Sequence, residues 1–264
     1  MHGRLESIHR DAAAMIALVI ALGFSATPSS AYDYHPLDPG RQWYYESDLG
    51  ETELMTIAGE RVVLGALTTV RREELTAQTV ENFWTVDGDG HLFLHGAVNY
   101  TYSFELAYLP PIRMVDAPLE LDKSWTTPGI HLYDLQGVFQ GSIFDYSLNV
   151  FTEGLVTVPA GEFYAYGVGE LIAVPLLRSS SGECFDLLGR RIPAPPSAET
   201  DHPQVWYVDG LGVVKMDPLG YEPEAFKLHW WTGPTPVEPG SWGSIKTLFF
   251  GGQLPSSSFM GGQR

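Results

Sequence analysis

The chain has 264 residues, a single cysteine and a formal net charge of −17, with 28 glycines and 19 prolines. One cysteine, Cys184, excludes an intrachain disulfide, and the acidic balance sets the chain against nucleic-acid phosphates and anionic lipid surfaces. The acids Glu51, Glu53, Asp87, Asp89, Asp116, Glu120 and Asp122 are scattered, a pattern that predicts a solvated, self-repelling surface.

Residues 1–31 read as an export signal cleaved after Ala31. A polar stretch with Arg4 and Arg10 precedes the 13-residue apolar run Ala12–Phe24, and the small residues Ser29 and Ala31 close it. The run is shorter than the ~20 apolar residues that cross a bilayer, so cleavage is expected rather than anchoring, with no transmembrane span in the mature chain and a secreted or periplasmic location. The leader holds two acids and two bases, so its removal leaves 233 residues with the charge unchanged. That length suits one large β domain, expected over residues 32–231, with a Gly/Pro/Ser-rich tail at 232–264.

After Ala31, strand and turn signals dominate. QWYYES (Gln42–Ser47) reads as a half-buried strand. ETELMTIAG alternates, with Leu54 and Thr56 on one face and Met55 and Ile57 on the other, and Ala58-Gly59 offers a turn before RVVLGALTTVRREEL. Asn82–Val86 and His91–His95 flank Asp87-Gly88-Asp89-Gly90, the strongest hairpin signal, with Phe83, Leu92 and Leu94 as core candidates. Tyr100, Tyr102, Phe104 and Leu106 share a period of two until Pro110-Pro111, which is expected to end the strand. Two strands are expected on either side of Gly141, a third element ends at Pro159-Ala160-Gly161, and Phe163–Leu177 is strand-like. Between Ser179 and Pro203 the composition is that of a long mobile loop. Val205–Met216 then forms a hairpin across Asp209-Gly210, and Phe226–Trp231 is the last strand. The fold class expected is mainly β, a large antiparallel curved sheet or half-open barrel or sandwich, with few short helices.

Three stretches carry a resemblance. The opening YDYHPLDPGRQWYYES, with Tyr34, Pro36, Leu37, Gly40, Trp43 and Tyr45, resembles that of a loosely defined group of exported bacterial β proteins. VTVPAGEFYAY (Val156–Tyr166) and VWYVDGLGVVKM (Val205–Met216) are similar to further stretches of the same group. More distantly, the group resembles periplasmic proteins whose curved sheet wraps a helix or apolar groove, including the lipoprotein-carrier type. The resemblance implies a fold and leaves function open.

No catalytic, cofactor-binding or metal-ligating residue is assigned from the sequence, and no cofactor is expected. Counting twelve positions from Asp87 puts Val98 where an EF-type calcium loop needs a glutamate. His91 and His95, four apart on a strand, stand ~13 Å apart along one face, too far to share zinc, and are expected to face solvent. Ser179-Ser180-Ser181 lacks the strained turn of a nucleophile, and Cys184, beside Glu183 and Asp186, is expected to be structural. The adjacent aromatics Trp43-Tyr44-Tyr45, Trp206-Tyr207 and Trp230-Trp231 are expected to split, one ring packing inside and its neighbour facing out toward a glycan or apolar chain. The expected role is a non-catalytic binding or envelope-associated domain, with an apolar or glycan ligand or an envelope protein as partner. One alternative is an apolar-ligand carrier, which needs an internal groove of several hundred cubic ångströms. The other is a glycan hydrolase, which needs two carboxylates facing a cleft beside exposed tryptophans.

Overall fold

The computed structural model describes residues 32–170, 177–178, 183–192, 204–217 and 225–233. The expected leader at 1–31, most of the expected tail and Ser179-Ser180-Ser181 lie outside the described residues. The architecture is all-β, with no helix among the described residues. In chain order the strands are β1 (Gln42–Glu46), β2 (Thr52–Val63), β3 (Ala66–Leu75), β4 (Gln78–Val86), β5 (Leu92–Asn99), β6 (Phe104–Val115), β7 (Ser124–Tyr133), β8 (Phe139–Val158) and β9 (Gly161–Glu170). They continue with β10 (Leu177–Arg178), β11 (Cys184–Phe185), β12 (Arg191–Ile192), β13 (Val205–Val208), β14 (Gly212–Met216) and β15 (Phe226–Trp231).

Twelve of these form a closed antiparallel barrel in the order β1-β15-β14-β13-β9-β8-β7-β6-β5-β4-β3-β2, and β10-β11-β12 form a separate three-stranded sheet. The barrel is a meander, closed where the last strand pairs the first, Trp43 opposite Trp231. Closure leaves the wall no free edge. The expected mainly β, antiparallel curved fold is thus observed, as a closed barrel rather than a half-open one.

The expected alternation in ETELMTIAG holds, and the structure turns Met55 and Ile57 inside with Leu54 and Thr56 on the other face. Ala58-Gly59 is not a turn. β2 runs through it with a register shift between Ile57 and Gly59, and the chain reverses at Leu64-Gly65 instead. The shift exchanges faces, so Val63 packs on the outer wall with Val70, Phe83, Val98 and Ala107, under Leu64, Tyr133 and Leu135. The Asp87–Gly90 hairpin forms as expected, and Phe83, Leu92 and Leu94 are buried, Phe83 in this outer cluster.

Three further expectations change. Residues 100–103 form a turn, leaving Tyr100 exposed, and β6 begins at Phe104. Pro110-Pro111 does not end β6, because the prolines sit in a register shift where the wall needs no donor. Leu94 pairs Ile112 and Gly96 pairs Ala107, so residues 108–111 bulge, and β6 pairs β7 only through Ala107, Tyr108 and Leu109. Beyond that, side chains bridge the seam: Trp125 Nε1 donates to Arg113 O at 2.8 Å, and Arg113 N donates to Thr127 Oγ1 at 2.9 Å. Nor does Gly141 divide two strands. β8 is one strand of 20 residues, and the reversal from β7 uses Asp134–Val138, where Asp134 Oδ1 accepts from Gln136 N and Val138 N.

A barrel of about eight strands encloses just enough space for its own side chains, so twelve strands enclose more than their inward residues fill. Two inserted segments occupy the ends. At one end residues 32–36 dock: Asp33 N donates to Asp209 Oδ1, Gly210 N donates to Asp33 O, and the buried Tyr34 hydroxyl accepts from Leu119 N. At the other end the hairpin of β11 and β12 enters. This replaces the expected mobile loop over its described part. Asp186 Oδ1 accepts from Arg190 N to close the turn, Phe185 stacks on Phe104 with ring centres 4.0 Å apart, and Arg191 N donates to Gln78 Oε1. The turn is held against the wall by Tyr108 Oη donating to Leu187 O at 2.7 Å and Asn99 Nδ2 donating to Gly189 O at 2.9 Å.

Candidate functional site

Between the two inserted segments the inner wall turns polar. Glu53 on β2 shares its parity with Met55 and Ile57 and so points inward, opposite Tyr45 on β1. On β3, Arg71 and Glu73 point inward, and on β4 Asn82 and Trp84 do. Register brings them together: Met55 pairs Glu73 and Arg71 pairs Asn82, so Glu53 and Asn82 each lie one diagonal step from Glu73. Glu53 is fully buried, which corrects its expected place on a solvated surface.

Arg71 donates to Glu73 Oε1, which also accepts from Asn82 Nδ2 at 2.8 Å. The same guanidinium lies 4.7 Å from the Trp84 ring centre, and its Nη1 stands 3.1 Å from His35 Nε2. Arginine can only donate, so His35 Nε2 accepts and the ring proton is on Nδ1. Burial, then the charges of Arg71 and Arg41, hold His35 well below its ordinary pKa, so the imidazole is neutral. It stacks on Trp43, 5.8 Å between ring centres.

From the inserted hairpin, Arg190 Nε donates to Asp186 Oδ2 at 2.8 Å. Two ion pairs, Arg71–Glu73 and Arg190–Asp186, therefore flank Glu53, which has no ion pair of its own among the described residues. Burial first, then the neighbouring Glu73 charge, push the Glu53 carboxyl up to about 8 against the pull of Arg190 and Arg71. Both effects favour the protonated form of the Glu53 carboxyl.

Eight buried side-chain atoms have no hydrogen-bond partner among the described residues: His35 Nδ1, Arg41 Nε, both oxygens of Glu53, Arg71 Nε, Glu73 Oε2, Asn82 Oδ1 and Trp84 Nε1. An unmade bond at such a group costs about 1–3 kcal/mol. Leaving all of them unmade would rival the whole stability of a domain, about 5–15 kcal/mol.

The carboxylate pair does not open on a cleft, since Glu53 and Glu73 are both fully buried. The described interior is occupied by its own, mainly apolar side chains, among them Trp43, Tyr45, Met55, Trp84 and Tyr108, around this small charged cluster. A shallow depression of about 490 Å³ lies outside, at the end holding residues 32–36, bounded by Asp38, Pro39, Gly40, Arg41, Thr232 and Gly233.

His91 and His95 are half-buried and bonded rather than solvent-facing: His91 Nδ1 accepts from Ala117 N at 3.0 Å, and His95 Nε2 lies 2.9 Å from Thr85 Oγ1. Asp87, Asp89 and His91 bring ligand atoms within 4.8 Å of one another. Asp87 Oδ1 is already bonded to the turn amides of Asp89 and His91, so this cluster serves the hairpin. Cys184 is half-buried on β11, its backbone opposite Ile192.

The aromatic groups divide as expected at two of three places. Trp43 and Tyr45 are buried while Tyr44 faces out and lies parallel to Trp230, 5.6 Å between ring centres, with Trp230 44% exposed. Trp206 and Tyr207 are both buried, because Lys215 covers the Trp206 ring at 4.4 Å. A second outward group was not visible in the sequence. Leu109, His131 and Ile143 are cross-strand neighbours on β6, β7 and β8, and Phe139 lies against His131 and Tyr133, so Leu109, Ile143, Phe139 and the adjoining Val138 expose apolar surface around one hairpin.

No family model and no curated protein sequence matches the chain. Among solved structures, a protein from Bacteroides fragilis taken to be exported, with a YmcC-like fold, is 14% identical, covers 77% of this chain and the whole of its own, and superposes with a TM-score of 0.34. Likeness at that level carries no functional argument. The closed barrel itself fits the carrier-like class of fold. No helix among the described residues is long and apolar enough to cross a membrane.

Proposed function

We propose that this chain is an exported, non-catalytic binding domain of the bacterial envelope that meets its partner through the outer wall of the barrel. The observation that carries the reading is the division of side chains between the two faces. The titratable cluster is enclosed, while Leu109, Phe139, Val138 and Ile143 stand exposed together at the β7–β8 hairpin, Ile143 at 61%. Exposed apolar neighbours of this kind mark sites of association. The hydrolase reading is not favoured by the interior, since its carboxylates meet no cleft, and the carrier reading is not favoured because that interior is packed with its own buried side chains, Trp43, Tyr45, Trp84 and Tyr108 among them.

A photo-crosslinking residue at Ile143 in the full chain, expressed in its own envelope, tests this against the same residue at Arg72, an exposed charged position on β3. The expected result is a discrete adduct from position 143 and none from 72. Absence of any adduct from 143, 139 and 109 refutes the proposal. A glycan bound at the Tyr44–Trp230 pair is a second reading, favoured by the parallel rings and half-exposed indole. It requires quenching or shifting of Trp230 fluorescence by envelope glycan fragments, abolished in Trp230→Ala.

A further inference from the structure

The enclosed cluster has the makings of a site that none of the outward readings uses. Its unpaired atoms are of both kinds: oxygens on Glu53, Glu73 and Asn82, with a protonated Glu53 offering one O–H donor and one acceptor, and N–H donors on Trp84, Arg71 and His35. All six residues are more than nine-tenths buried, and four of them, Glu53, Arg71, Glu73 and Asn82, are joined by adjacent register on β2, β3 and β4. His35 and Trp84 join them by ring contact, 5.3 Å between centres.

We propose that the barrel encloses a hydration site in which bound water bridges the free oxygens of Glu53, Glu73 and Asn82 to the free N–H groups of Trp84, Arg71 and His35, with Glu53 held as the neutral carboxylic acid. Water is the occupant that satisfies both kinds of atom, since each buried molecule makes about three hydrogen bonds and both donates and accepts. A metal cation would serve only the oxygens and would be repelled by Arg71 and Arg190, whose charges already act on Glu53. Charge balance agrees. Glu73 is matched by Arg71 and Asp186 by Arg190, so a proton on Glu53 leaves the cluster neutral. The tautomer of His35 set by Arg71 supplies one of the donors, Nδ1–H. The inserted β11–β12 hairpin closes the site on one side, so its water exchanges slowly.

The test uses the mature domain, wild type and Glu53→Gln, near neutral pH. Infrared difference spectroscopy is expected to show a carboxylic-acid C=O band in wild type that the variant lacks. Magnetic-resonance cross-relaxation is expected between the Trp84 indole proton and long-lived water in both. A wild-type spectrum without the band, a dry Trp84 indole, or one equivalent of firmly bound metal on elemental analysis would each overturn the proposal. The water measurement on wild type stands alone if the variant does not fold.

Discussion

Gly189 and Gly210 share the same backbone φ, +74°, and differ in what surrounds them. A methyl group on Gly210 would meet nothing within 4 Å, whereas on Gly189 it would lie 2.9 Å from Ala97 Cβ and 3.7 Å from Val80 Cγ1. Both substitutions to alanine carry the cost of an L-residue at positive φ, about 1–2 kcal/mol. Only Gly189→Ala also forces the turn of the inserted hairpin off β4 and β5, an overpacking cost of about 1–3 kcal/mol. If the turn withdraws instead, it loses the bonds from Asn99 to Gly189 O and from Tyr108 to Leu187 O, about 1 kcal/mol each, and part of the burial of Leu187. Either route makes Gly189→Ala the more costly by about 2 kcal/mol. Urea unfolding with equal slopes for wild type and both variants measures it, and exchange of the Gly189 amide, bonded to Asp186 O, reports on the turn itself. Equal losses in the two variants would show that the hairpin does not rest on the inner wall, and the account of a closed interior would fall with it.

Two other outcomes follow from the same interior and its wall. The Glu53 carboxyl rises on folding from an ordinary 4.5 to about 8, so between those values the folded protein holds a proton that the unfolded chain releases. The contribution of Glu53 to stability is therefore full below pH ~4.5 and is lost as pH rises toward ~8, and Glu53→Gln should flatten that decline in melts taken across the range. A stability that rises over the window would contradict the assignment. Gly96 on β5 allows β6 to approach so closely that an added Cβ would lie 2.3 Å from Leu106 O and 2.9 Å from Ala107 Cα. Both are backbone atoms, so Gly96→Ala should cost more than about 3 kcal/mol or prevent folding, and a variant that melts like wild type would refute the close approach.

The Asp87–Gly90 and Asp209-Gly210 hairpins and the alternation that sets Met55 and Ile57 on one face of β2 were legible in the amino-acid sequence, because period-two alternation and turn residues are local signals. Even Glu53 carried a signal: it stands two residues before Met55, on the buried parity, and a carboxylate there is out of place on a surface. What hid the site was its composition from distant parts of the chain. Arg71 finds His35 36 residues away, and Asn99 finds Gly189 90 residues away. A composition rich in proline and serine read as a mobile loop between Ser179 and Pro203, yet Asp186 and Arg190 make a tight turn that fits the barrel end. Glycine and proline misled at Gly59, Gly141 and Pro110-Pro111 for one reason: in a strongly curved wall the same residues mark bulges and long bent strands as readily as ends.

By itself the sequence determined an acidic, mainly β protein with no intrachain disulfide and its clearest hairpins, since those follow from composition, alternation and turn residues. Closure into a barrel, the two inserted segments and the meeting of Glu53, Glu73, Arg71, Asn82 and His35 were decided only by tertiary structure. Twelve strands enclose more room than their own inward side chains fill, and which distant segments enter that room depends on shape and on pairing of charge, neither of which is written in any local stretch of residues.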